Sequence, residues 1–211
     1  MEWIQRDKMK IICIGRNYID HALEMGKEVP TDPVFFLKPD SAILPKRNPF
    51  YIPDFSNEIH YEVELVVRIN RLGKSIAEKF AHQYYNEVGL GIDFTARDIQ
   101  EECKKNGLPW EKAKGFDGSA QISREFIKKE DLDLKNIKFS LHKNGKIVQQ
   151  GNSNKMIFTF DKIISYISSF YTLKIGDLIY TGTPAGVGKI KIGDTLQGFI
   201  EKKELIRTNI K

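Results

Sequence analysis

Two cysteines in 211 residues, Cys13 and Cys103, are too few for a disulfide framework, and they lack the paired spacing of a structural zinc site. A reducing cytoplasm fits. No apolar run approaches the roughly 20 residues that a membrane span needs. The charged start, Met1 to Lys10, is followed only by Ile11-Ile12-Cys13-Ile14 before Gly15, too little for a signal-peptide core. A basic block is missing too: the net charge is +5, but the lysines are scattered from Lys8 to Lys211, which favours a solvated surface over a nucleic-acid site. There is no internal repeat, no low-complexity tract, no phosphate-binding Gly-Lys-Ser/Thr loop and no dinucleotide fingerprint. With 41% hydrophobic and 29% charged residues, the chain reads as a soluble, cytoplasmic globular protein, a single domain over residues 1–211.

Taken in order, Lys10 to Ile14 predicts a short buried strand, and the turn after Gly15 leads into a short helix closed by Gly26. His21 and Glu24 lie at i and i+3 on that helix. The pair is either a surface contact or an imidazole oriented by a carboxylate for general-base work. Val34 to Lys38 reads as a strand. Ser75 to Asn86 reads as an amphipathic helix with a capping-box spacing of Ser75 and Glu78. Val88 to Phe94 is a strand whose glycines imply close approach of neighbours, followed by a helix from Thr95 to Asn106 stopped by Gly107. Lys114 falls in a glycine-punctuated loop. Asn144-Gly145 marks a hairpin, Phe160, Ile163, Ile164, Ile167 and Tyr171 mark a core-packed helix, and the last third is strand-rich. The Thr181-Gly182-Thr183-Pro184 loop is expected to expose N–H groups and two hydroxyls suited to a carboxylate or phosphate.

The stretch His60 to Ile69 has a period of two. Tyr61, Val63, Leu65, Val67 and Ile69 form an apolar face; His60, Glu62, Glu64, Val66 and Arg68 form the other. Carboxylates at i and i+2 stand about 6–7 Å apart at the backbone, so they repel unless water or a cation separates them. Either the strand has a wet, charged face or Glu62 and Glu64 are half of an oxygen-ligand metal site. Asp93, at the next strand-to-helix corner, is either a helix cap or the third carboxylate. Three carboxylates favour Mg2+ or Mn2+ over Zn2+ and leave positions open for substrate oxygens.

The segments Gly15-Arg16-Asn17-Tyr18 with His21 and Glu24, His60-Tyr61-Glu62-Val63-Glu64-Leu65, and Asp93-Phe94-Thr95-Ala96-Arg97-Asp98 with Gln100 occur in that order. Gly107-Leu108-Pro109-Trp110 follows with Lys114-Gly115-Phe116-Asp117, and then Gly176-Asp177 with Thr181-Gly182-Thr183-Pro184-Ala185-Gly186-Val187-Gly188. Together they resemble the fumarylacetoacetate hydrolase family, most closely its short acylpyruvase and oxaloacetate decarboxylase-like branch. The resemblance implies an α+β, mainly β fold, a mixed β-sandwich roll with a few short helices, and a homodimer. It implies Mg2+ or Mn2+ on Glu62, Glu64 and Asp93, with Lys114 beside the ion, and Arg16, Gln100 and Thr183 approaching the substrate. His21 and Glu24 would belong to a mobile lid and act as the catalytic pair. The implied activity is C–C bond hydrolysis of acylpyruvates, decarboxylation of oxaloacetate, or both, through a metal-chelated 2-oxo acid and an enolate. Isomerisation, decarboxylation or tautomerisation of 2-hydroxy-dienedioates or oxaloacetate is the alternative, and a non-catalytic basic nucleic-acid-binding protein is a reading from another class. One departure from the family's pattern, Gly118 to Ser123 in place of a proline-containing run, implies a different pocket wall.

Overall fold

The computed structural model describes residues 9–20, 29–45 and 47–211. The expected helix around His21 and Glu24 therefore lies outside the described residues. Fourteen strands are described, and the first six build the site: β1 (Ile11–Gly15), β2 (Val34–Lys38), β3 (Ile59–Tyr61), β4 (Val63–Ile69), β5 (Tyr85–Asp93) and β6 (Thr95–Ala96). The others are β7 (Ala120–Ile122), β8 (Ile127–Lys128), β9 (Lys138–Lys143), β10 (Lys146–Asn152), β11 (Leu178–Tyr180), β12 (Gly188–Lys189), β13 (Thr195–Ile200) and β14 (Lys203–Asn209). The α-helices whose full bounds fall among the described residues are α1 (Glu78–Ala81), α2 (Arg97–Asn106), α3 (Glu111–Lys114) and α4 (Phe160–Phe170). No helix among the described residues is long and apolar enough to cross a membrane.

A seven-stranded sheet runs β2-β1-β11-β4-β5-β7, with β8 also on β5, and its β1–β11 pair is parallel. A four-stranded antiparallel sheet, β10-β9-β13-β14, packs against it. The layers are close: a Cβ on Gly198 would lie 2.7 Å from Leu90 Cδ2. Val63, Leu65, Val67, Leu90 and Ile92 meet Phe139, Leu141, Leu196 and Ile206 in the core between them, the arrangement of a sandwich. Helix α4 supplies Phe160, Ile163, Ile164 and Ile167 to that core, and Thr159 caps its start by accepting from Lys162 N at 3.2 Å.

The stretch from His60 to Ile69 departs from the reading of one strand with one wet face. It is two strands in two sheets: β3 pairs with β6 and β12, then the chain turns at Glu62 and β4 enters the centre of the large sheet. The partner strand turns at the same level, at Phe94, between β5 and β6. Between two neighbours, β4 is buried on both faces except at Arg68. Val66 joins a second apolar cluster with Ile11, Cys13, Leu178 and Tyr180, and Glu64 is 2% exposed.

The helix expected over Ser75 to Asn86 shrinks to one turn, α1. Ser75 has φ 50°, the N-cap position is Ala77 with no side-chain cap, and Tyr85 and Asn86 belong to β5. Sheet pairing of Tyr85 with Ile69 and its edge contact with Phe160 outweigh the local helical pattern. Helix α2 begins at Arg97 rather than Thr95, because Thr95 pairs with His60. Gly107, with φ 64°, ends it as expected. The Asn144-Gly145 hairpin turns with φ 53° and 78°, the left-handed pair that a tight hairpin requires.

The glycines of β5 do mark close approach. A Cβ on Gly91 would lie 2.3 Å from Tyr180 Cε1 and 2.9 Å from Val66 Cγ2. Tyr180 has no room to yield, since its hydroxyl donates to Gln121 O at 2.7 Å. Gly91→Ala is therefore expected to cost about 1–3 kcal/mol through overpacking, read as a lower urea midpoint with an unchanged slope; an unaltered midpoint would contradict the tight packing.

Candidate metal centre and active site

The paired turns at Glu62 and Phe94 bring three acidic side chains to one corner between the sheets. Glu62, Glu64 and Asp93 each offer an oxygen within 4.8 Å of the others, and all three residues are buried. Asp93 is not the cap of α2, whose N-cap position is Ala96. Three carboxylates so close in a dry site cannot all ionise unless cations compensate them. The structure provides three such cations, Lys38, Arg97 and Lys114.

Lys114 is read from the sequence as a loop residue but ends the short helix α3. Its ammonium donates to Glu62 Oε2 at 2.8 Å, Asp93 Oδ2 at 2.8 Å and Thr95 Oγ1 at 2.6 Å, and lies 5.1 Å from the centre of the Phe36 ring. Burial pushes its pKa down, but Asp93 and Glu62 outweigh burial and hold it above its ordinary value. Arg97, in the first turn of α2, donates to Glu62 Oε1 and, at 2.5 Å, to Gln100 Oε1. Lys38, at the end of β2, lies 2.8 Å from Asp93 Oδ1. That contact is an ion pair without a directed hydrogen bond. Hydrogen bonds run from Lys38 to the carbonyls of Phe94, Lys114 and Ser119 and to Ser119 Oγ.

The Thr-Gly-Thr-Pro loop differs from the expected exposed anion cradle. Thr181 and Thr183 are buried, and their hydroxyls donate to Leu65 O and Val63 O, each at 2.9 Å. The carboxylate this loop binds is the protein's own: Gly182 N donates to Glu64 Oε2 at 2.7 Å. Gly182 adopts φ 98°, and a Cβ there would lie 2.7 Å from Asn17 Cβ. Asn17 fastens the loop by donating to Thr181 O at 2.8 Å and Phe158 O at 3.0 Å. Gln149 donates to Thr183 Oγ1 at 2.8 Å and accepts from Val63 N at 2.9 Å.

Burial, followed by the charges of Asp93 and Glu62, raises the Glu64 pKa well above its ordinary value, against the Gly182 N–H and Lys114. Glu64 is thus the carboxylate least compensated by the chain's own cations. The donor set, all oxygen and anionic, with one carboxylate short of positive charge, suits a hard dication such as Mg2+ or Mn2+.

Of the substrate-side residues read from the sequence, Gln100 is buried beside Arg97 and also accepts from Lys104 Nζ at 3.0 Å. Burial and then Arg97 and Lys114 lower the Lys104 pKa to about 8, with Arg16 adding to the effect. Arg16 adopts φ 58°. Thr183 is near the centre but its hydroxyl is engaged on both sides. His21 and Glu24 lie outside the described residues. Sequence reasoning missed Lys38, Arg97, Thr95 and Gln149. Two of these carried a signal: Lys38 shares a β2 face with Phe36 by period two, and Arg97 precedes Gln100 by three on a helix.

A β-sandwich with an acidic triad at the corner of a kinked hairpin defines a class of metal-centre folds, and comparison with known proteins identifies which. The chain belongs to the fumarylacetoacetate hydrolase family: the model of the fumarylacetoacetate (FAA) hydrolase C-terminal family matches residues 10–211. It is 44% identical over 202 residues to the mitochondrial oxaloacetate tautomerase FAHD1 of Mus musculus, covering 95% of this chain and 91% of that one. It is 44% identical over 189 residues to the mitochondrial oxaloacetate decarboxylase of Dictyostelium discoideum, covering 89% and 87%. Among solved structures, the fumarylpyruvate hydrolase of Pseudomonas aeruginosa in complex with Mn2+ and pyruvate superposes with a TM-score of 0.89 at 32% identity, covering 96% of this chain and 89% of that one.

Proposed function

We propose that this protein is a divalent-metal-dependent enzyme of short 2-oxo acids, which decarboxylates or tautomerises oxaloacetate, hydrolyses the C3–C4 bond of acylpyruvates, or does both. The observation that carries this reading is the charge balance of the centre. Three buried carboxylates face three buried cations, so an added dication leaves a net positive site suited to an anionic, oxygen-rich substrate. The names of the relatives above support the same substrate class.

Glu62, Glu64 and Asp93 would hold Mg2+ or Mn2+. When bound, the dication supplies a Lewis acid that draws electron density from a chelating 2-oxo acid. Lys114, whose three N–H groups reach Glu62, Asp93 and Thr95 in the ion-free site, would turn one of them toward the substrate oxygen on which negative charge develops, in a site too dry to screen it. Arg97 holds Glu62 in place, while Arg16 and Gln100 orient the carboxylate end of the acid and Thr183 fixes the loop beside it. For hydrolysis, His21 oriented by Glu24 takes a proton from the attacking water. Decarboxylation of oxaloacetate needs no such water, so one constellation serves both reactions. A homodimer working in the cytoplasm completes the reading.

Purified protein assayed with oxaloacetate and with acetylpyruvate tests it. EDTA is expected to lower turnover at least about tenfold, with recovery on adding Mn2+ or Mg2+. Full turnover after removal of divalent ions rejects the proposal.

A further inference from the structure

Each carboxylate of the triad has one oxygen turned to an outer partner, while Lys114 donates to the other oxygen of Glu62 and of Asp93 in the ion-free site. Glu62 Oε1 takes the Arg97 guanidinium, Glu64 Oε2 takes the Gly182 N–H, and Asp93 Oδ1 meets the Lys38 ammonium. Of the two cationic partners, Lys38 is the more deeply buried. Its side chain is 0% exposed, and its ammonium sits in a cage of the Phe94, Lys114 and Ser119 carbonyls and Ser119 Oγ. Ser119 is itself fully buried, and its hydroxyl donates to Lys114 O at 2.8 Å. An ammonium caged in this way cannot follow the carboxylate if Asp93 rotates.

We infer that Lys38 is a positioning residue that sets which dication the centre accepts: by occupying Oδ1, it limits Asp93 to one donor oxygen and so favours Mg2+ and Mn2+ over Ca2+. Mg2+ takes six ligands in strict octahedral geometry, whereas Ca2+ takes six to eight and readily accepts both oxygens of one carboxylate. The positive charge of Lys38 opposes every dication alike. It cancels when two dications are compared, leaving the number of donor oxygens as the difference. The inference rests on the dication reading above.

Lys38→Met in the full chain tests it, with Mn2+ and Ca2+ each titrated into metal-stripped protein by calorimetry and folding checked by circular dichroism. The ratio of the Ca2+ to the Mn2+ dissociation constant is expected to fall about tenfold, the usual scale of an outer-shell effect on a metal site. A ratio within about threefold of wild type overturns the inference while leaving the dication reading intact. Wild-type protein that binds neither ion overturns both. If the variant does not fold, a crystal structure of the wild-type protein with Mn2+ decides the point. Asp93 bound through a single oxygen, with Lys38 on the other, supports the inference; a bidentate Asp93 overturns it.

Discussion

Replacing Lys114 by methionine is expected to lower turnover by about 10²–10³-fold, the scale of losing one preorganised donor to developing negative charge. It is also expected to cost the ion-free protein about 3–5 kcal/mol, because it removes one member of a buried ionic cluster. Lys114 is 3% exposed and bridges Glu62 and Asp93, which lose their shared cation without it. The two effects separate on adding Mn2+. The ion replaces the missing charge between the carboxylates, so stability returns, but it does not supply a donor on the substrate side, so turnover stays low. Urea unfolding in EDTA and in Mn2+, beside steady-state kinetics, reads both quantities. Turnover that recovers together with stability would mean that Lys114 only holds the carboxylates.

Glu64→Gln is expected to weaken Mn2+ binding at least about a hundredfold, as loss of a charged ligand exceeds the usual outer-shell effect. The same change is expected to stabilise the ion-free protein near pH 8 by about 1 kcal/mol, or about 2–4 °C in Tm for a chain of this size. The folded-state pKa of Glu64 is raised by burial and by Asp93 and Glu62 above its ordinary value of 4.5. The folded protein therefore holds this proton more tightly than the unfolded chain. Between the two values the unfolded chain has already released it, so the contribution of Glu64 to stability falls as pH rises through that window. Wild-type Tm in EDTA should accordingly rise between pH 8 and pH 5 on account of this residue, and the variant should lack that part of the slope. A variant less stable than wild type at pH 8 in EDTA would show that the Gly182 N–H holds the carboxylate more strongly than its neighbours repel it.

Much of the site was legible because its signals are local. The i, i+2 spacing of Glu62 and Glu64 and the position of Asp93 at the end of a glycine-bearing strand bring the three carboxylates within 4.8 Å. The hairpin at Asn144 and the helix from Phe160 were legible for the same reason. What sequence patterns did not carry is what arrives from far along the chain. Lys38 looks like the polar end of an ordinary strand until Asp93 and Ser119 close over it. Gly182 shows its purpose only when its N–H meets Glu64, 118 residues earlier. The helix over Ser75 to Asn86 failed because Tyr85 finds a better partner in β4 than in its own helical turn. The wet face of β4 failed because period two tells which residues share a face but not whether another layer covers it.

The sheet change at Glu62 and Phe94 also ties the centre to the folding of the whole molecule. A fragment spanning the hairpin would contain all three carboxylates yet lack Lys38, Lys114 and Gly182, and its acidic residues would simply repel one another. The centre forms only when segments from both ends of the chain have docked, so an opening that undocks either of them dismantles it. Ion binding is therefore expected to stabilise the docked arrangement of these distant segments, and a chelator to loosen more of the chain than one loop.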